Sequence, residues 1–134
     1  MSAPATLRVV AGALCDARGR VLIAQRPAHK HMGGRWEFPG GKVAVRETES
    51  EALVRELREE LGVEARAPQF CLRLTHHYPD RSVELSFWIV RDFAGAPRGL
   101  DGQQLQWVAA ADLGQQDILE ADRPFIEALQ RLLQ

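Results

Sequence analysis

Between Gly41 and Val63 the chain reads GKVAVRETESEALVRELREELGV, and this stretch decides the fold. Its spacing predicts a helix from about Glu49 to Leu61. Leu53, Val54, Leu57 and Leu61 fall within an arc of about 100° at 3.6 residues per turn, the stripe a helix buries. Thr48 and Glu51 fit the capping-box pattern, in which the threonine hydroxyl takes one orphan amide and the glutamate returns to another. Gly62 stands where a left-handed residue ends a helix. Glu56, Glu59 and Glu60, at i, i+3 and i+4, share a different face, with Arg55 and Arg58 flanking them and pointing mostly away.

Like charges at those spacings cost about 0.2–0.5 kcal/mol per pair on an exposed helix. A solvated polar face with some Glu–Arg pairing accounts for them from composition alone. A hard divalent cation reverses the sign of the repulsion, because Mg²⁺ takes carboxylate, water and phosphate oxygens. Three carboxylates on one face can hold such an ion, acidify a water and neutralise a diphosphate. Gly40-Gly41, just upstream, reads as a tight turn that brings main-chain groups close to ion or phosphate.

Strand signals surround this helix. Leu7–Leu14 and Arg20–Gln25 flank a Gly-containing turn of hairpin length, Asp16–Gly19. A Pro/His/Gly-rich loop, Pro27–Arg35, leads into a short extended piece with a glycine break, Trp36–Val43. Gln69–His77 and Ser82–Phe93 read as a second strand pair, the latter continuously apolar through Phe87–Val90, as a more central strand is. Leu105–Ala109 is a final short strand. A second helix is expected to begin near Asp122, a natural N-cap, with Pro124 in its first turn and an apolar stripe of Phe125, Ile126, Leu129, Leu132 and Leu133. Strands and helices mix without regular βαβ alternation, which favours the α+β class with a mixed sheet covered by helices.

The chain has 134 residues, 46% apolar and 26% charged, and is expected to form a single domain over residues 1–134. A formal charge of −1 argues against tight non-specific nucleic-acid binding. No apolar run approaches the ~20 residues of a membrane helix, and the first residues do not resemble a signal peptide. Cys15 and Cys71 are too few for a disulfide scaffold and lack metal-site spacing, so they read as reduced core thiols of a cytoplasmic protein. His29, His31, His76 and His77 show no zinc pattern.

Gly41-x5-Glu47-x7-Arg55-Glu56-Leu57-x-Glu59-Glu60-x-Gly62-Val63 matches the Nudix box, GX5EX7REUXEEXGU with U a bulky aliphatic, at every position. The chain therefore resembles the Nudix hydrolase family. The likeness to its bacterial MutT type extends to Gln25–Ala28, His31-Met32, Trp36–Lys42, Tyr78–Arg81 and Phe87–Val90. The resemblance implies an α/β/α sandwich around a mixed sheet. It also implies a Mg²⁺-dependent (or Mn²⁺-dependent) nucleoside triphosphate pyrophosphohydrolase, a monomer or weak dimer whose partner is the small nucleotide. The favoured substrate is 8-oxo-dGTP, in nucleotide-pool sanitation, and the alternative within the class is CTP, dCTP or a modified pyrimidine triphosphate. A non-catalytic nucleotide-sensing Nudix domain is the alternative from another class, but such domains usually lose box carboxylates.

Carried over by position, the resemblance makes Glu56, Glu59 and Glu60 metal ligands, with the Gly40 carbonyl as a further one and Glu56 also a base toward water. Arg55 orients Glu56, and Glu47 supports the box from its other end. Asp101 falls where a distant acidic loop residue completes the metal site, although the family pattern has the longer Glu there. Arg26, Phe38, Asp80 and Arg81 match positions near the nucleotide. Asp122 replaces the asparagine that reads the base.

Overall fold

The computed structural model describes residues 5–133. Its strands are β1 (Ala5–Leu14), β2 (Arg20–Gln25), β3 (Trp36–Glu37), β4 (Gly40–Lys42), β5 (Glu64–Arg66), β6 (Gln69–His77), β7 (Arg81–Val90), β8 (Asp92–Ala94) and β9 (Leu105–Ala109). Its helices are α1 (Glu49–Leu61) and α2 (Arg123–Leu132), and 3-10 turns at Ala110–Gln115 and Glu120–Asp122 precede α2.

The strands form a mixed four-stranded sheet in the order β4-β1-β7-β6, an antiparallel sheet β3-β2-β9 and a small β5-β8 pair. β1 runs parallel to β7 over its full length, from Ala5↔Arg81 to Leu14↔Val90, and antiparallel to β4. β6 and β7 form the expected antiparallel pair. β7 is thus central, in keeping with the apolar run Phe87–Val90.

The Asp16–Gly19 turn differs from the expected simple hairpin. β1 and β2 touch at one bridge, Cys15↔Val21, and then diverge into separate sheets. Asp16 closes the turn: its carboxylate accepts from the backbone N–H groups of Arg18 and Arg20 and from Arg20 Nε. Such Asx closure turns the chain without a ladder behind it.

Because successive side chains on a strand face opposite ways, β1 feeds two cores. Val10 and Leu14 pack with Leu22, Leu53, Leu57 and Leu61 under α1. Ala11 and Ala13 join Phe38, Phe87, Phe125 and Leu129 under α2. The sheets therefore lie between the two helices, an α/β/α sandwich of the α+β class.

Helix α1 has the expected bounds. Thr48 Oγ1 accepts from Glu51 N while the Glu51 carboxylate accepts from Thr48 N, a reciprocal cap of about 1 kcal/mol. Gly62 ends the helix at φ 71°, a left-handed conformation in which a Cβ is costly. Its buried stripe is Ala52, Leu53, Leu57 and Leu61, with Val54 only half-buried. In α2, Phe125, Ile126, Ala128 and Leu129 are buried. Leu132, expected in the stripe, is 52% exposed because it sits at the last residue of the helix.

Candidate active site

The box helix is anchored at its start by an ionic clamp. Arg55 reaches back along α1, so that Nε donates to Glu47 Oε2 at 2.7 Å and one terminal nitrogen donates to Glu47 Oε1 at 2.9 Å. The same nitrogen donates to the Lys42 carbonyl oxygen, and the other donates to Glu56 Oε1 at 3.0 Å and Glu59 Oε2 at 3.2 Å. A fork with this many charge-assisted bonds fixes direction as well as charge. It holds the Glu47 carboxyl down at about 2 and the arginine above its ordinary value. Arg58 does point away, onto Glu64. Arg55 does not: it turns into the carboxylate cluster, which corrects the expectation from helical geometry.

The carboxylates divide between two environments. Glu56 and Glu60, one turn apart on α1, line an open cavity of about 750 Å³ together with Gly40, Gly41 and Asp101. Glu59 lies outside that lining and is 57% exposed, but it shares one Arg55 terminal nitrogen with Glu56. Gly41 is needed where the β4 backbone passes Glu56, since a Cβ there would overlap its carboxyl group. Gly40 meets the cluster through its N–H, which donates to Glu60 Oε2 at 3.1 Å.

Burial, then the neighbouring Glu56 charge, with smaller contributions from Glu37 and Asp101, pushes the Glu60 carboxyl up to about 8. Among the described residues no three His, Cys, Asp or Glu side chains converge as a finished metal cage. The donor set nevertheless fits a hard cation. It is all oxygen, half-buried and mutually repulsive, and a divalent ion removes the penalty that raises Glu60.

The Asp122 side of the cavity is built from β3 and the segment before α2. Trp36 N donates to the Asp117 carbonyl and Leu119 N to the Trp36 carbonyl, so this segment runs alongside β3. One step on, Phe38 N donates to Asp122 Oδ2 at 3.1 Å. Asp122 occupies the N-cap position of α2, as expected, but its side chain makes no capping bond there. It lies buried, 6% exposed, at the cavity wall. Desolvation dominates its environment and raises the carboxyl to about 7; the Phe38 N–H opposes that rise and the Glu37 charge adds to it.

Phe38 itself is a core residue, its ring edge-on to Phe125 at 4.9 Å, although it also borders the cavity. Arg26 lines the cavity too, donating through one terminal nitrogen to both Glu37 carboxylate oxygens and through Nε to the His31 carbonyl. Arg81, the first residue of β7, reaches the lining, whereas Asp80, in the exposed turn before it, does not.

Among the lining residues that the sequence reading did not assign to the site are Glu37, Tyr78 and Gln103. Glu37 is a strand residue whose carboxyl is raised by burial and lowered by Arg26. Only its pairing with Arg26 marks it, and that pairing spans a loop. Tyr78 shares its turn with Arg81, and Gln103 has no sequence signal beyond the Asp101-Gly102 turn beside it.

A family model for the NUDIX domain matches residues 10–128. The chain belongs to the Nudix family. This Nudix hydrolase is 36% identical to the 8-oxo-dGTP diphosphatase of Escherichia coli (strain K12), over 94% of this chain and 98% of that protein. It is 39% identical to the CTP pyrophosphohydrolase of the same organism, over 92% of this chain and 91% of the relative. A solved MutT structure, from work on the proteins of Aliivibrio salmonicida and Vibrio cholerae, is similar at a TM-score of 0.83 and 36% identity. It covers 92% of this chain and 96% of its own. In this Nudix hydrolase no helix among the described residues is long and apolar enough to cross a membrane.

The Gly41–Glu56 contact makes a direct prediction. Gly41→Ala is expected to displace the Glu56 carboxylate and lower hydrolytic kcat/KM by about tenfold or more, ~1.4 kcal/mol in the barrier. The fold should persist, because the far end of Glu56 can move into the cavity. Unchanged kcat/KM would show that the observed seat of Glu56 is not the working one.

Proposed function

We propose that this Nudix hydrolase is a divalent-cation-dependent nucleoside triphosphate pyrophosphohydrolase that releases a nucleoside monophosphate and diphosphate. One observation carries the reading: Glu56, Glu60 and Asp101 line the same cavity as Arg26, Arg81 and Asp122. A triphosphate laid along that cavity sets its phosphates at the carboxylate cluster and its base near Asp122.

Glu56, Glu60 and Asp101, with Glu59 swinging in from the rim and the Gly40 carbonyl, would hold Mg²⁺ or Mn²⁺. When bound, the ion supplies charge neutralisation and a more acidic water. Arg55 keeps Glu56 oriented, and Glu56 takes the proton as water attacks phosphorus. Arg26 and Arg81 offset triphosphate charge. Catalysis then rests on positioning and electrostatics, without a covalent intermediate.

For the base, 8-oxo-dGTP is the favoured reading, supported by the relatives named for that activity. The 8-oxoguanine edge offers N7–H as donor and O6 as acceptor. Asp122 raised to about 7 is partly protonated at neutral pH, so it can accept from the first and donate to the second. The ionised carboxylate instead suits the exocyclic amine of cytosine, which supports a pyrimidine triphosphate as the second reading, alongside the relative named for CTP. A kcat/KM panel over 8-oxo-dGTP, dGTP, CTP and dCTP decides between them, because specificity is a ratio of transition-state binding. The proposal expects 8-oxo-dGTP to exceed dGTP by about a hundredfold, as one well-placed donor–acceptor pair allows. Equal values for all four would remove base recognition from Asp122.

A further inference from the structure

The loop that carries Asp101 is bound to the carboxyl end of α1, where the last carbonyls of a helix lack intrahelical partners. Arg98 N donates to the Leu61 carbonyl at 3.0 Å and Leu100 N to the Glu60 carbonyl at 3.1 Å. The Glu60 carbonyl accepts a second bond, at 3.2 Å, from Gln103 Nε2. The other end of the same amide, Gln103 Oε1, accepts from the backbone N–H of Asp101 at 2.9 Å. The amide orientation is dictated by its partners: a carbonyl oxygen accepts only, and a backbone N–H donates only. Gln103 therefore spans from the residue that supplies one cavity carboxylate to the residue that supplies another, and all three line the cavity.

We propose that Gln103 is a positioning residue of the metal site, its side-chain amide fixing the Asp101 loop against the Glu60 end of α1. The inference rests on the metal reading of the cavity. Asp101 is itself exposed and lies inside the Gly99–Gly102 turn, where its own backbone N–H is taken by Gln103 Oε1. Methionine fills nearly the same volume as glutamine but neither donates nor accepts strongly, so Gln103→Met cuts both bonds at once. Gln103→Asn keeps an amide that is one methylene too short to reach both groups, and it serves the same readout if the methionine variant fails to fold.

The test is Mn²⁺ binding to the protein without nucleotide, followed by the electron paramagnetic resonance of free Mn²⁺, in single and double variants. Gln103→Met is expected to weaken Mn²⁺ binding about tenfold, the scale for outer partners of a metal ligand. Asp101→Asn should weaken it comparably, and Asp101→Asn with Gln103→Met should add less than about twofold more, since residues acting through one group are not additive. A Mn²⁺ affinity within twofold of the unsubstituted protein overturns the proposal, and so does a double variant whose losses multiply. Glu56→Gln in the same titration separates the two claims. If it weakens Mn²⁺ binding while Gln103→Met does not, the positioning role alone falls. If neither does, the metal reading of the cavity falls with it.

Discussion

Glu56→Gln is expected to lower kcat by about 10²–10⁴-fold, the range for loss of a general base, with the fold intact. Glutamine has the same shape, and its carbonyl oxygen can still accept from Arg55, so the clamp from Glu47 through Arg55 survives. What disappears is the charge, and with it both the pull on a cation and the acceptor for a proton. The loss should appear in kcat at saturating nucleotide and saturating Mg²⁺, because it concerns an interaction strengthened in the transition state. Thermal denaturation should show a melting temperature within a few degrees of the unsubstituted protein. Retention of more than about a tenth of kcat, only ~1.4 kcal/mol, would remove Glu56 from the centre of the chemistry.

The second large effect is on choice of base. Asp122→Asn is expected to raise the kcat/KM ratio of 8-oxo-dGTP over dCTP by about tenfold or more, within the ~1–3 kcal/mol of a good polar base contact. An asparagine oxygen can keep the Phe38 N–H bond while its NH₂ donates to guanine O6 at every pH. In the unsubstituted protein the same ratio should fall as pH rises through about 7, where the Asp122 carboxyl loses its proton. In Asp122→Asn that dependence should vanish.

Stability follows the same proton. The folded pKa lies above the ordinary 3.8, so between 3.8 and about 7 the native state keeps a proton that the unfolded chain has released. Stability contributed this way is lost as pH rises through the window, and Asp122→Asn should gain relative stability toward pH 8. A ratio that moves by less than twofold on substitution would mean that the base is chosen elsewhere.

The fold was largely legible because its signals are local. The Thr48–Glu51 box, the Leu53/Leu57/Leu61 stripe and Gly62 each act within a turn or two, and α1 has the bounds they predict. The alternating strands and the apolar centre of β7 likewise needed no tertiary information. The turn at Asp16 was legible, but not its consequence, because divergence of β1 from β2 depends on β7 competing for β1 along its whole length.

The site divided on the same line. The box carboxylates were found from spacing, but the turn of Arg55 into them was not, since it depends on where Glu47 and the Lys42 carbonyl lie. Asp122 stands at the N-cap of α2, where an aspartate side chain is expected to cap. Its side chain goes instead to Phe38, 84 residues away in sequence, and no local pattern encodes that bond. Glu37 and Gln103 escaped for the same reason: each acquires its role from a partner that only the folded chain supplies.

The most direct measurement is product analysis of nucleoside triphosphate turnover, with and without Mg²⁺. The account predicts nucleoside monophosphate and diphosphate in equal amounts with Mg²⁺ present, and no turnover when a chelator removes the ion. Orthophosphate and nucleoside diphosphate as first products, or undiminished turnover in chelator, would contradict it.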